Sequence, residues 1–122
     1  MKVIKSGRHA VTHFRVIEDW AGAELLEVAL ETGRTHQIRV HLAHIGHPVV
    51  GDSVYGLGWE RGMNGRVRSW AKLLNDRISR QFLHAWHLSF HHPISKEVLT
   101  FQSPLPEDLR SCAEWARSGE GL

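Results

Sequence analysis

Arg34, His36, Arg39, His41, His44 and His47 all fall between Leu30 and Pro48. A guanidinium is always charged, planar and rich in donors, so two of them close together suit a phosphate or a carboxylate. Gly33 immediately precedes Arg34. Glycine accepts a left-handed backbone, which permits a sharp corner, and a helix opening just beyond it adds the positive end of its dipole. The competing reading is a pair of structural ion pairs. A forced corner that presents a guanidinium favours function. His41 and His44, three apart, can share a helix face and hold a metal. Against this, His47 lies beyond the helix stop, no cysteine is near, and Asp52 is the one close carboxylate. Hydrogen-bonded imidazoles are the simpler reading. His84, His87, His91 and His92 line a strand, where RNA contact and packing both stay open. Cys112 sits on an apolar helix stripe, Ser53 lacks a G-x-S-x-G elbow, and Asp19, Asp52, Asp76 and Asp108 have no paired carboxylate. By residue type alone, no catalytic constellation assembles.

The elements that position these groups follow from patterning. Val11 to Ile17 is β-branched or aromatic at most places and predicts a strand. Leu26, Val28 and Leu30 alternate with Glu27, Ala29 and Glu31, which predicts a second strand, joined to the first by a turn around Gly22. Thr32-Gly33 breaks it. A helix opens at Arg34 or Thr35, with Thr35 the better cap. Ile38, Leu42 and Ile45 form its apolar stripe, Gly46 ends it, and Pro48 prevents its continuing. Val49 to Gly56 predicts a short extended piece and a turn. Leu57 to Arg66, with three glycines, predicts a mobile surface loop. Ser69 to Ser79 predicts a helix with Trp70, Leu73, Leu74 and Ile78 inward. Strands follow at Phe82 to His91 and Glu97 to Gln102. Pro106 is placed as the first residue of a last helix, which buries Leu109, Cys112, Ala113 and Ala116. The sum is α+β: a mainly antiparallel mixed sheet with helices packed on it.

The chain has 122 residues and a formal net charge of +2. That length allows one domain or part of a larger one. No apolar run approaches the roughly 20 residues that cross a bilayer, and the N-terminus has no apolar signal region. A lone cysteine cannot close an internal disulfide, which fits a reducing cytoplasm. Charge is unevenly spread. Thr32 to His92 holds eight cations against three anions, leaving seven cations and ten anions elsewhere. A basic centre between acidic ends suits a polyanion on one face, the alternative being an ordinary solvated surface.

Thr32-Gly33-Arg34-Thr35-His36-Gln37-Ile38-Arg39-Val40-His41-Leu42, then Gly46-His47-Pro48, Gly51-Asp52 and Tyr55-Gly56, closely resemble the signature of the RluA-type RNA pseudouridine synthases. Ala10-Val11-Thr12-His13 resembles the strand that enters this region, and Leu83-His84-Ala85 with Leu88 and His92-Pro93 resembles the C-terminal block. The branch resembled is the RluD-like one, which acts on the large ribosomal subunit. A long motif with spaced companions is far more specific than a lone glycine pattern.

The resemblance implies uridine isomerisation in RNA: the N1–C1′ bond breaks, the uracil turns, and C5 joins C1′. It implies no cofactor and no metal. The family's catalytic aspartate belongs to a His-Arg-Leu-Asp motif, with a tyrosine further along, and both precede the region present here. This chain has no such motif. It is therefore expected to be the C-terminal portion of a catalytic domain, half of the family fold over residues 1–117, with a flexible tail at 118–122. Alone, it is expected to be inactive. Arg39 is the expected partner of the absent aspartate, since a carboxylate kept ionised in a covered pocket needs a fixed cation. Arg34, Thr35, His36 and Gln37 are expected substrate or RNA contacts, with His36 and Gln37 bracing the turn. Gly33, Gly51, Asp52 and Tyr55 are assigned to architecture. Arg66, Arg68 and Lys72, within the basic stretch Arg61 to Arg80, are expected to meet RNA phosphates. The expected partners are ribosomal RNA and the missing N-terminal half, or a second copy, because half a sheet leaves an edge and an apolar face uncovered. The expected location is cytoplasmic. The alternatives are a non-catalytic RNA-binding module and, more distantly, a metal-dependent hydrolase built on the histidines.

Overall fold

The computed structural model describes residues 2–6, 10–30, 35–85, 87–91 and 93–119. Its first sheet is antiparallel throughout, in the order β1 (Lys2–Ser6), β2 (Ala10–Asp19), β3 (Glu24–Leu30). β2 suits the centre because its β-branched and aromatic residues pack well on a pleated surface. Thr12 and Phe14, two apart, are both buried, and they pair with Leu30 and Val28. The register shifts between Val16 and Glu18, a bulge that leaves Ile17 half exposed. Trp20 N–H donates to the Ala23 carbonyl (2.9 Å) and closes the hairpin. β1 had no expectation. Its five residues carry two lysines and too little alternation to read as a strand, and pairing with β2 supplies what the local sequence lacks.

α1 (Thr35–His44) lays Ile38 and Leu42 on Phe14, Val49, Leu26, Val28 and Leu83. Gly46 takes a left-handed φ of 82°. Its N–H reaches Ala43 O, and the His47 N–H reaches Leu42 O, so the last turn's carbonyls are satisfied. The last helical residue is His44, one residue before the end of the expected stripe. Ile45 lies past the helix and is exposed.

The expected loose loop after Leu57 is instead structured. Trp59–Gly62 forms a 3-10 turn, and Trp59 Nε1 donates to Asn75 Oδ1 at 2.8 Å. Trp59 and Met63 pack against a core built on Trp70, Leu74 and Trp115, so two large apolar groups outweigh the local glycines. α2 (Gly65–Asp76) starts and stops earlier than Ser69 to Ser79. It buries Trp70, Ala71 and Leu74 while Leu73 points to solvent, and Ile78 packs from beyond its end.

β4 (His87–His91) and β5 (Val98–Gln102) make a separate antiparallel pair. The strand expected from Phe82 begins only at His87. Phe82 N–H is instead taken by Val50 O at 2.7 Å. α3 (Glu107–Ser118) follows Pro106, which stands at the cap rather than inside the helix. Leu109, Cys112, Ala113 and Ala116 are buried as expected, joined by Trp115. Trp115 stacks on Trp70 with centroids 5.8 Å apart. Ser118, expected in a flexible tail, is the last helical residue, and its hydroxyl donates to Trp115 O. Arg117 ties α3 to β2 through both oxygens of Glu18 (2.8 and 2.9 Å).

The architecture is α+β. Every described strand pairing is antiparallel, in two sheets rather than one mixed sheet. No described helix is long and apolar enough to cross a membrane.

Candidate functional site

Arg39 sits mid-way along α1, and the turn after Val49 brings Asp52 onto it. Arg39 Nε donates to Asp52 Oδ2 at 2.7 Å, and Nη2 donates to Oδ1 at 2.9 Å. The Asp52 side chain is fully buried and that of Arg39 about one-fifth exposed (19%). The turn itself is held by its aspartate. Oδ1 also accepts the backbone N–H groups of Val54 (3.0 Å) and Tyr55 (3.1 Å). Aspartate favours such turns because its short carboxylate reaches the N–H groups just ahead. Gly51 allows the approach: its φ is 81°, and a Cβ there would lie 2.2 Å from the Arg80 carbonyl oxygen.

The Arg39 bonds, then the two backbone N–H groups, hold the Asp52 carboxyl well below the usual carboxylate range, although burial opposes this. The same ion pair raises Arg39. A carboxylate offers about four acceptor positions, and Asp52 fills four hydrogen bonds. Three of these fall on Oδ1 and one on Oδ2. Fully buried and engaged by Arg39 and by its own turn, this carboxylate is poorly placed for proton transfer or nucleophilic attack.

Tyr55, from the same turn, covers the guanidinium, with Arg39 Cζ 5.1 Å from the ring centroid. Its hydroxyl lies 3.0 Å from His36 Nε2, and the two rings meet edge to face. His36, Arg39, Asp52 and Tyr55 thus form one connected group. The tyrosine and the aspartate read as architecture in the sequence. The turn-forming Asp followed by Tyr55 three residues on was the available signal, but nothing local says which cation they meet.

Gln37 faces the other way. Its Nε2 donates to Thr12 Oγ1 (3.1 Å) and Val11 O (3.3 Å), which braces α1 against β2. Thr12 Oγ1 also lies 2.6 Å from Nδ1 of the buried His41. Thr35 is the first helical residue of α1. Arg34 and the Gly33 corner lie outside the described residues.

Arg66, Arg68 and Lys72 lie on α2, with Arg66 and Lys72 exposed and Arg68 half-buried. Among the described residues, no hydrogen bond or ion pair joins them to the Arg39 group. The rest of the basic stretch is partly engaged in structure. Arg77 stacks over Trp115 at 4.5 Å, and Arg80 grips both oxygens of Asp108 (2.8 and 3.0 Å). Among the described residues, no three His, Cys, Asp or Glu side chains converge as metal ligands. His84 Nε2 sits 2.9 Å from Ser103 O. Burial pushes the Cys112 thiol up, as suits an inert core cysteine. A cavity of about 550 Å³ opens between the β2–β3 turn, the end of α1 and Trp59, but Arg39, Asp52 and Tyr55 do not line it.

The family described as RNA pseudouridylate synthase matches residues 1–44. A ribosomal large subunit pseudouridine synthase D of Nitrosomonas europaea is 45% identical over 118 residues, 97% of this chain and 32% of the relative. The protein of the same name from Vibrio cholerae is 46% identical over 109 residues, 89% of this chain and 33% of the relative. That of Escherichia coli K12 is 44% identical over 118 residues, 97% of this chain and 36% of the relative. The chain therefore spans about a third of the length of the curated relatives it matches. The resemblance to RNA pseudouridine synthases holds along nearly all of it.

Proposed function

We propose that this chain is the C-terminal portion, over residues 1–117, of the catalytic domain of an RNA pseudouridine synthase. It is half of that fold, works on large-subunit ribosomal RNA in the cytoplasm, and uses no cofactor. Arg39 supplies the cation that keeps the catalytic aspartate ionised, and the aspartate comes from a His-Arg-Leu-Asp segment N-terminal to the residues present here. With the aspartate and uridine in place, the N1–C1′ bond breaks, the base turns, and C5 joins C1′; C5 then gives up its proton and N1 takes one, so that the product is an isomer of the substrate. Arg34, Thr35 and His36 meet the substrate strand, and Arg66, Arg68 and Lys72 meet phosphates.

The observation that carries this reading is the Arg39 guanidinium itself. It lies in the signature stretch, is partly exposed, and is ion-paired to a fully buried carboxylate that its own turn also holds. None of the chain's four aspartates is fit to replace the missing one. Asp52 is buried against Arg39, Asp108 is held by Arg80, and Asp19 and Asp76 stand exposed at the ends of β2 and α2.

The test is tritium release from ribosomal RNA labelled at C5 of uridine. The chain alone releases none. Release begins when a segment carrying the His-Arg-Leu-Asp motif is added or fused. Release by the chain alone overturns the inactivity. RNA binding without release in every combination favours the non-catalytic module instead.

A further inference from the structure

We propose that Asp52 is the positioning residue of this site: it locks the Arg39 guanidinium so that only its terminal edge is offered to the reacting carboxylate. The proposal rests on the role given to Arg39 above and adds a residue that the sequence assigns to architecture.

A guanidinium has five N–H groups in one plane. Nε–H and one Nη2–H form its side edge, and Asp52 takes both. Tyr55 covers one face. The terminal edge, made of Nη1 and the second Nη2–H, hydrogen-bonds no described residue. That edge is the one that binds a second carboxylate with two parallel bonds. Arginine's long stem otherwise sweeps through many rotamers, and a site that needs one orientation has to restrict it.

Asp52 is built to do this and little else. Its two backbone N–H bonds come from Val54 and Tyr55, so the carboxylate cannot swing away without opening the turn. One of those donors belongs to the residue that covers the guanidinium face. A single turn thus sets both the edge and the plane of Arg39. The backbone donors also share the carboxylate's charge, which leaves the guanidinium able to bind a second anion.

The test uses a polypeptide that carries this chain behind its His-Arg-Leu-Asp segment. Single-turnover tritium release and RNA affinity are measured separately for Asp52→Asn, Asp52→Glu, Arg39→Lys and the double variant Arg39→Lys/Asp52→Asn. Asp52→Asn keeps an oxygen for the Val54 and Tyr55 N–H groups but loses the ion pair. Asp52→Glu keeps the charge and moves it by one methylene. Both are expected to slow the chemical step at least tenfold with RNA affinity unchanged, and Asp52→Asn adds nothing in the Arg39→Lys background. A normal rate in Asp52→Glu, or losses that multiply in the double variant, overturns the positioning role. If Asp52→Asn fails to fold, the Asp52→Glu rate decides. Absence of release from the unsubstituted protein refutes the parent reading as well, whereas release that both Asp52 variants leave intact refutes only this one.

Discussion

The Thr12 hydroxyl lies 2.6 Å from His41 Nδ1, with both residues buried, and so joins the central strand to the helix that carries Arg39. The same oxygen accepts from Gln37 Nε2. Thr12→Val keeps the shape and removes the hydroxyl, leaving two polar side chains short of a partner. The expected loss is about 1–3 kcal/mol of unfolding free energy, read by urea denaturation. Thr12→Ser, which keeps the hydroxyl, should lie closer to the parent chain.

Asp52 has its folded pKa depressed, so its contribution is complete above the unfolded carboxyl value of about 3.9 and is lost as the pH falls toward the folded value. Stability of the chain should therefore decline below about pH 4. Asp52→Asn should be less stable at pH 7 and lose less on acidification. Urea midpoints at pH 7 and pH 3 measure the difference. An equal acid loss in both proteins would remove Asp52 from the account.

Gly51 and Gly46 share nearly the same left-handed φ, 81° and 82°, but not the same surroundings. A Cβ at Gly51 would stand 2.2 Å from the Arg80 carbonyl oxygen, and one at Gly46 meets nothing within 4 Å. Gly46→Ala should cost about 1–2 kcal/mol, the left-handed penalty alone. Gly51→Ala should cost about 3 kcal/mol or more, because backbone has to move as well. Thermal or urea unfolding of the two variants tests the ranking.

The basic stretch divides into exposed and engaged cations. Arg66→Gln with Lys72→Gln should weaken binding to a large-subunit ribosomal RNA fragment and flatten its salt dependence by about 1–2 in log–log slope. Arg80→Gln removes a guanidinium already held by Asp108, so its effect on that slope should be smaller. Binding titrations between low and moderate salt distinguish the two.

Where neighbouring residues carry the information, the sequence alone was sufficient. Alternation set the β2–β3 hairpin, Gly46 and Pro48 closed α1, and the apolar spacing marked the inner face of α3, because each depends on backbone preference and period within a few residues. The signature stretch likewise carried the relationship to the pseudouridine synthases. Tertiary structure decided the rest. Trp59 and Met63 turned an expected loop into packed core, because two buried side chains outweigh three local glycines. β1 exists through its pairing with β2. Arg77 and Arg80 look like free cations in the sequence and are held by Trp115 and Asp108 in the fold. Arg39 and Asp52 are thirteen positions apart, and no periodicity links a helix residue to a turn residue beyond a glycine stop. Only the folded path of the chain brings that carboxylate to that guanidinium, because an ion pair depends on distance in space and not on separation in sequence.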